Sequence, residues 1–327
     1  MDFTVAIRTF NGAMRLPDLL DRLRSQQNTE AITWEVVIVD NNSTDHTAQI
    51  VQQYQAHWID RVALRYVFEP QQGAAIARKR AIQAATGTLI GFLDDDNLPD
   101  ANWVFSAYTF AQAHPQAGAF GSRIVPQYEI NPPTNFDRIA HYMPTMLRQT
   151  SFRYDSHRRG MPVGAGLVIR KQAWIDCVVG MQIIQGPIKQ GFGLKGEETE
   201  ALWKIKRGNW EIWYNADMTI VHQIPSWRLE KAYLMNFFRV IGLSQHRFRM
   251  LRYPMWQRPV MFPCLIINDL RKILLHWRKY RRTLAIDLVA ACELQFFVGR
   301  LISPFHIWKR LLMQVVEQTI HLQQKNG

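Results

Sequence analysis

The chain has 327 residues, 47% of them apolar, and no low-complexity stretch, which excludes a disordered or fibrous protein and leaves room for more than one folded unit. Three cysteines (Cys177, Cys264 and Cys292) are too few and too scattered for a disulfide framework or a zinc cage. The net charge of +12 is unevenly placed: from Arg228 onward 17 Lys and Arg stand against 5 Asp and Glu, whereas residues 1–227 hold 22 of each.

In chain order, the first third alternates β-rich runs with helical patterns. MDFTVAIRTF shows no charged n-region followed by an apolar h-region, so no signal peptide is expected and a reducing cytoplasm is the expected compartment. FTVAIRTF (3–10) predicts a strand and RLPDLLDRLRSQ (15–26) a helix. WEVVIVD (34–40) leads to a helix within NNSTDHTAQIVQQYQ (41–55), where Ser43 or Thr44 can cap it. LRYVFE (64–69) leads to GAAIARKRAIQAATG (73–87), an alanine-rich helix closed by glycine. TLIGFLD (88–94) and a helix in NWVFSAYTFAQAHP (102–115) complete the series. Strands alternating with helices, several of them unbroken Val/Ile/Leu runs, predict an α/β fold with a Rossmann-like, mainly parallel sheet. The pattern then loosens: AFGSRIVP (119–126) reads as a strand, MPVGAGLVIR (161–170) as a glycine-interrupted strand, and GEETEALWKIKRG (196–208) as a helix with acid first and base last.

Ligands in such sheets bind beyond the carboxyl ends of the strands. Thr9, Phe10 and Asn11 follow the first strand, Asp40 ends the second, Glu69 the third, and Asp94, Asp95 and Asp96 the fourth. Three adjacent carboxylates either lie solvated in a turn or hold something positive. Beside other acidic strand ends, Asp94 and Asp96 suit a hard divalent cation, Mg2+ or Mn2+, with phosphate oxygens and water completing the shell. Asp40 either caps the turning chain or accepts a hydrogen bond from a nucleobase or ribose. Arg78, Lys79 and Arg80 either neutralise a diphosphate or form a solvated face. Glu197, Glu198 and Glu200 either complement a helix dipole or supply a general base. His222, after a short apolar strand, is a packed residue or a ligand.

Residues 228–320 read as helices rich in cations, with Trp256, Trp277 and Trp308 among them. Such helices either pack on the first part with their cations in water or lie on an anionic membrane surface. No membrane span is expected: VMFPCLII (260–267) falls short of the roughly 20 residues required, and LAIDLVAACELQFFV (284–298) is interrupted by Asp287 and Glu293. The tail carries no recognised nucleic-acid motif.

Taken in order, TFN (9–11), VDNNSTD (39–45), GAAIARKRAI (73–82), GFLDDDN (91–97), GEETEALWKI (196–205) and VHQIP (221–225) resemble the inverting family-2 glycosyltransferases of the GT-A fold. The resemblance covers about residues 3–225 and implies a GT-A domain over 1–227 followed by a basic, mainly helical region over 228–327. The whole chain looks closer still to the hormogonium-polysaccharide glycosyltransferases of cyanobacteria, through PSWRLEKAYL, GLSQHRFRMLR and NDLRKILLH.

The resemblance implies a nucleotide-sugar donor, a UDP-sugar first, and a glycan or lipid-linked acceptor, in a cytoplasmic or peripheral membrane setting. It implies that Asp40 contacts the base, that Thr9, Phe10 and Asn11 line the same pocket, and that Asp95 faces the ribose. Gly73 and Arg78 belong to the donor diphosphate site, Asp94 and Asp96 form the DXD pair, and His222 completes the metal or diphosphate site. Glu198 stands where the family's usual base is an aspartate, with Glu197 its rival. Phe10 stands where relatives often have tyrosine, and Arg8 where many have proline. SQHRFRM (244–250) lacks the spacing of the processive Gln-x-x-Arg-Trp motif, so transfer of a single sugar is expected. The rival readings are a nucleotidyltransferase, whose glycine-rich loop is missing after the first strand, and a degenerate nucleotide-sugar-binding scaffold.

Overall fold

Residues 1–154, 160–178 and 196–326 are described by a computed structural model, without the side chains of Glu197 and of residues 310–326. They group into two units. The first contains Met1–Asn131, most of the chain from Ala140, and Glu197–Ser226; the second contains Pro132–Ile139 and the chain from Trp227 onward.

The first unit is built on β1 (Phe3–Thr9), α1 (Leu16–Arg24), β2 (Trp34–Asp40), α2 (Thr47–Ala56), β3 (Ala63–Phe68), α3 (Ala74–Ala84), β4 (Leu89–Asp94), β5 (Asn97–Pro99), α4 (Trp103–Ala113) and β6 (Ala117–Tyr128). After a single turn, α5 (Asp137–Ala140), which falls mostly in the second unit, the first unit continues with β7 (Phe152–Arg153), β8 (Val168–Arg170), α6 (Lys171–Cys177), α7 (Glu197–Arg207) and β9 (Glu211–Ile224). The sheet runs β3-β2-β1-β4-β8-β6-β9-β5, with β7 also on β9. Strands β1 to β4, β6 and β9 share one direction; β8, β5 and β7 run against it. The mainly parallel α/β sheet is present, with an antiparallel strand set into its middle.

Both faces of the sheet are covered, which is why its central strands need unbroken apolar runs. Successive side chains of β1 point to opposite faces. Phe3, Val5 and Ile7 join Leu16, Leu20, Val51 and Trp103 in one core; Ala6 joins Ala77, Ala81, Leu202 and Ile205 in the other. Register then sets the functional edge: Thr9 pairs with Asp40, and Arg8 with Asp94.

Two local expectations differ. Only Val168–Arg170 of the glycine-interrupted run is strand. Gly166 sits before it at φ +64°, and a Cβ there would meet the Ser122 Oγ at 2.5 Å, so the chain turns where only glycine fits. Helix α2 starts at Thr47, not at Ser43 or Thr44, because Asp45 accepts from the Thr47 N–H and leaves Ser43 to bond Asn11 and Asp40.

The second unit contains α8 (Lys231–Arg252), α9 (Arg258–Tyr280) and α10 (Leu288–Asn326). Helices α8 and α10 meet at glycines: a Cβ on Gly242 would lie 2.5 Å from the Phe296 carbonyl, and one on Gly299 2.6 Å from that of Arg239. Buried Asp269 accepts from Arg249 at 2.6 Å and from Arg300 at 2.5 Å. Arg138 pairs with Asp287 and Glu293. The expectation that no segment reaches spanning length is overturned, since the first 22 residues of α10, Leu288–Lys309, are by length and composition long and apolar enough to cross a membrane. Asp287 and Glu293 made the run read as interrupted, yet Asp287 precedes the helix and Glu293 is paired with Arg138. Gly299 serves the packing on α8, and Arg300 is neutralised by Asp269.

Candidate active site

The loops after β1 and β2 are stitched together by side chains. The Asn11 N–H donates to Ser43 Oγ at 2.9 Å, and Asn11 Oδ1 accepts from the Thr44 N–H at 2.8 Å. Asn11 holds a left-handed conformation (φ 50°), which asparagine tolerates. Gly12 fits beneath because a Cβ would stand 2.0 Å from Thr9 Oγ1. Asn41 reaches the next loop, accepting from the Gly73 N–H at 2.8 Å and donating to the Gln71 carbonyl at 2.7 Å. Gly73, at φ 152°, is the residue before α3. These bonds leave Phe10 40% exposed at the rim, its ring presented to solvent.

Asp40 is buried and held from both sides. Its Oδ1 accepts from the Ser43 N–H at 2.9 Å and its Oδ2 from the Tyr66 hydroxyl at 2.6 Å. Burial, followed by that bond to Asp40, pushes the Tyr66 hydroxyl far above the ordinary phenol range. The phenol therefore stays a donor. A carboxylate has about four acceptor sites, so these two bonds do not exhaust it.

The three consecutive aspartates have three different surroundings. Asp94 faces Arg8, whose Nη2 donates to its Oδ1 at 2.6 Å. Burial raises the Asp94 carboxyl, but Arg8, Arg78 and His222 outweigh it and hold the group below the usual carboxylate range. Asp95 accepts from Thr9 Oγ1 at 2.7 Å and from Arg15 through two bonds of 2.9 Å. Burial pushes its carboxyl up against the pull of Arg15. Its oxygens brace β4 to the loop after β1.

Asp96 is buried at the turn into β5. Asn97 Nδ2 donates to its Oδ1 at 2.8 Å, and its Oδ2 lies 3.7 Å from His222 Nε2. Pairing of Asn97 with His222 across β5 and β9 fixes that approach. An oxygen and a nitrogen this far apart exceed hydrogen-bond distance, and a cation about 2.1 Å from each spans the gap. Among the described residues no three His, Cys, Asp or Glu side chains gather as a metal cage. Asp94, also expected as a ligand, accepts from Arg8 through its Oδ1. Asp96 and His222 fit a cation that takes its remaining ligands from phosphate and water.

Arg78 on α3 is 1% exposed, with its guanidinium 4.7 Å from the Phe92 ring centroid. Gly164 lies between it and Glu198 on α7: a Cβ on Gly164 would be 3.2 Å from Arg78 Nη2 and 3.2 Å from Glu198 Cδ. A guanidinium and a carboxyl from elements 120 residues apart in sequence thus flank one backbone position. The side chain of Glu197 lies outside the described residues. Sequence reasoning missed Arg8, Arg15, Asn41, Tyr66 and Gly164 as parts of this edge. Only Arg8 carried a signal, as an unusual residue beside the first motif.

A sequence profile described as Glycosyl transferase family 2 matches residues 4–176, more than half of the chain. TuaG of Bacillus subtilis strain 168, named for teichuronic acid biosynthesis, is 46% identical over 95 residues, covering 29% of this chain and 35% of the relative. AglE of Haloferax volcanii, named as a glycosyltransferase, is 31% identical over 101 residues, covering 31% of this chain and 32% of its own. The matched stretch thus spans about a third of these relatives' length.

Among solved structures, a Staphylococcus aureus TarS fragment in complex with UDP-GlcNAc superposes with TM-score 0.54 at 17% identity, covering 94% of this chain and 92% of that one. The mannosyltransferase PcManGT of Pyrobaculum calidifontis, in complex with GDP-Man and Mn2+, gives 0.54 at 19% identity, covering 98% and 80%. These two likenesses concern the fold alone. With the profile match, the chain belongs to glycosyl transferase family 2, and its fold is GT-A.

Proposed function

We propose that this chain transfers a single sugar from a nucleoside-diphosphate sugar, UDP-linked in the first instance, to a hydroxyl of a glycan or lipid-linked acceptor, with inversion. The observation that carries the reading is the convergence of Arg78 and Glu198 on Gly164, with Arg78 and His222 acting on Asp94 and His222 beside Asp96. It offers a cation for a leaving diphosphate and a base for an incoming hydroxyl at one edge. Complexes of fold neighbours with UDP-GlcNAc, and with GDP-Man and Mn2+, support a nucleotide-sugar donor and a divalent cation.

In this mechanism Asp40 accepts a hydrogen bond from the base, Phe10 stacks on it, and Thr9 and Asn11 shape its pocket. Asp96 and His222 hold Mn2+ or Mg2+, which when bound neutralises charge growing on the diphosphate. Arg78 adds a fixed positive charge there. Glu198 takes the proton of the acceptor hydroxyl as its oxygen bonds the anomeric carbon from the face opposite the diphosphate. The bond from that carbon to the diphosphate oxygen breaks, and its electron pair leaves with the nucleotide. Asp95 positions the edge through Arg15 and Thr9, and Gly73 opens α3 beside it. Residues 1–227 form the catalytic domain and residues 228–327 a basic helical region at the cytoplasmic membrane face. The tail motifs support placement near the cyanobacterial hormogonium-polysaccharide subgroup.

Calorimetric titration with UDP, with and without Mn2+, of the wild type and Asp96→Ala tests the donor site. Binding that needs both the metal and Asp96 supports the reading. Equal UDP binding without metal, or in the variant, overturns the metal assignment. UDP-sugar binding without turnover favours a scaffold.

A further inference from the structure

Helix α9 presents an apolar stripe to solvent. Val260, Ile267, Leu270, Leu274 and Trp277 are all exposed, at spacings of 7, 3, 4 and 3 that keep them on one face. Val260 and Ile267 are about two-thirds exposed, far more than scattered surface aliphatics require. Trp256, just before the helix, is 76% exposed. The patch continues onto α10, where exposed Trp308 stacks on Phe262 with ring centroids 5.9 Å apart.

The charge on the helix is of one sign. Arg258, Arg271, Lys272, Arg278 and Lys279 lie along α9, and its one acid, Asp269, is 1% exposed and consumed by Arg249 and Arg300. Arg281 and Arg282 follow directly. Lys272 and Lys279 also line an open surface cleft with Leu275, His276, Tyr280, Phe297 and Glu293, the last paired with Arg138.

We propose that α9 is a membrane-docking helix that lies in the headgroup region of an anionic lipid bilayer. Its leucine, isoleucine and tryptophan stripe enters the acyl boundary while the flanking arginines and lysines meet lipid phosphates. A second copy of the chain would set like charges against each other. A nucleic acid would leave the aliphatic stripe without an apolar partner. The contact is peripheral although Leu288–Lys309 on α10 has spanning length. Glu293 and Arg300 on that helix are committed to Arg138 and Asp269, and Gly299 to α8; insertion would break all three. The inference rests on and deepens the membrane-face placement proposed above for residues 228–327, and it stands apart from the transferase chemistry.

The test is sedimentation of the full chain with vesicles of phosphatidylcholine alone or with 30% phosphatidylglycerol, at low and high salt. Two variants accompany it: Arg271→Gln/Arg278→Gln/Lys279→Gln, and Leu270→Ser/Leu274→Ser. All altered residues are exposed, so circular dichroism and UDP binding should match the wild type. The expected result is binding to the anionic vesicles alone, weakened by salt. At about fivefold per cation, the charge variant loses on the order of 100-fold in affinity. The apolar variant loses more than about tenfold. High salt should release the bound protein, as it would not release a spanning one. Equal binding to neutral vesicles, full retention by either variant, or a concentration-dependent dimer that the apolar variant abolishes would each overturn the proposal.

Discussion

Gly164→Ala perturbs the convergence of Arg78 and Glu198 on which the functional reading rests. The substitution adds one methyl group and no backbone strain, since Gly164 is not among the positive-φ positions. That methyl would stand 3.2 Å from Arg78 Nη2, 3.2 Å from Glu198 Cδ and 3.4 Å from Glu198 Cγ. Ordinary contact begins near the last of these, so both side chains must retreat by a few tenths of an ångström. A displacement of about 1 Å in a catalytic group costs on the order of 100-fold, so a retreat of a few tenths costs about 3- to 10-fold in kcat.

Both neighbours are side-chain ends, so the stability loss stays at or below about 1 kcal/mol. Release of UDP from a UDP-sugar gives kcat and KM, with urea unfolding as the control. Glu198→Gln supplies the reference, with an expected loss of about 100- to 10,000-fold. In a double-mutant cycle the alanine should cost less in the Glu198→Gln background, because a displaced base no longer matters there. Unchanged kcat in Gly164→Ala, or costs that simply add, would refute the claim that Glu198 acts from beside Gly164.

Two further predictions concern the helical unit. Asp269→Ala strands two buried guanidiniums and should lower the urea-derived stability by about 3–5 kcal/mol, whereas Arg249→Met/Asp269→Leu/Arg300→Met should recover most of it. The His246 imidazole is lowered to about 4, by burial first and then by Arg249 and Arg247, from an ordinary 6.5. Between those two values the unfolded chain holds a proton that the folded chain lacks. This group's contribution should therefore be constant above pH 6.5 and fall by at most about 1.4 kcal/mol per pH unit below it. His246→Asn should remove that slope from urea midpoints taken between pH 4.5 and 7.

What could be read in the sequence is what the strand period and apolar runs determine. WEVVIVD had to be buried on both faces, so Asp40 had to fall at its end, and β2 ends there. The same reasoning located Thr9 and Asp94. It could not divide the work among Asp94, Asp95 and Asp96, because their partners come from distant parts of the chain: Arg8, then Arg15 with Thr9, then His222. Gly164 was invisible for a related reason. A glycine inside MPVGAGLVIR reads as a strand defect until Arg78 and Glu198 are known to converge on it. In the tail, Asp287 and Glu293 read as interruptions of an apolar run, and the residue that pairs with both, Arg138, lies about 150 positions earlier in the chain.

The same partners explain how three adjacent carboxylates are tolerated at one buried edge, and they yield a last prediction. Arg8, Arg15 and Arg78 stand against Asp94, Asp95 and Asp96, so this cluster is close to neutral before a donor arrives. A sugar diphosphate brings about two negative charges, and a divalent cation restores the balance. Removing one charge from either side should shift metal affinity in opposite directions. Arg8→Gln leaves an unmatched carboxylate and should tighten Mn2+ binding measured without nucleotide. Asp94→Asn leaves an unmatched guanidinium and should weaken it while reducing the metal dependence of UDP binding. Asp94 is partly exposed, so each effect is screened to about 1 kcal/mol, roughly fivefold. If Asp94 were itself a metal ligand, Asp94→Asn would instead lose about 100-fold, and a shift of the same sign in both variants would refute the charge-balance argument.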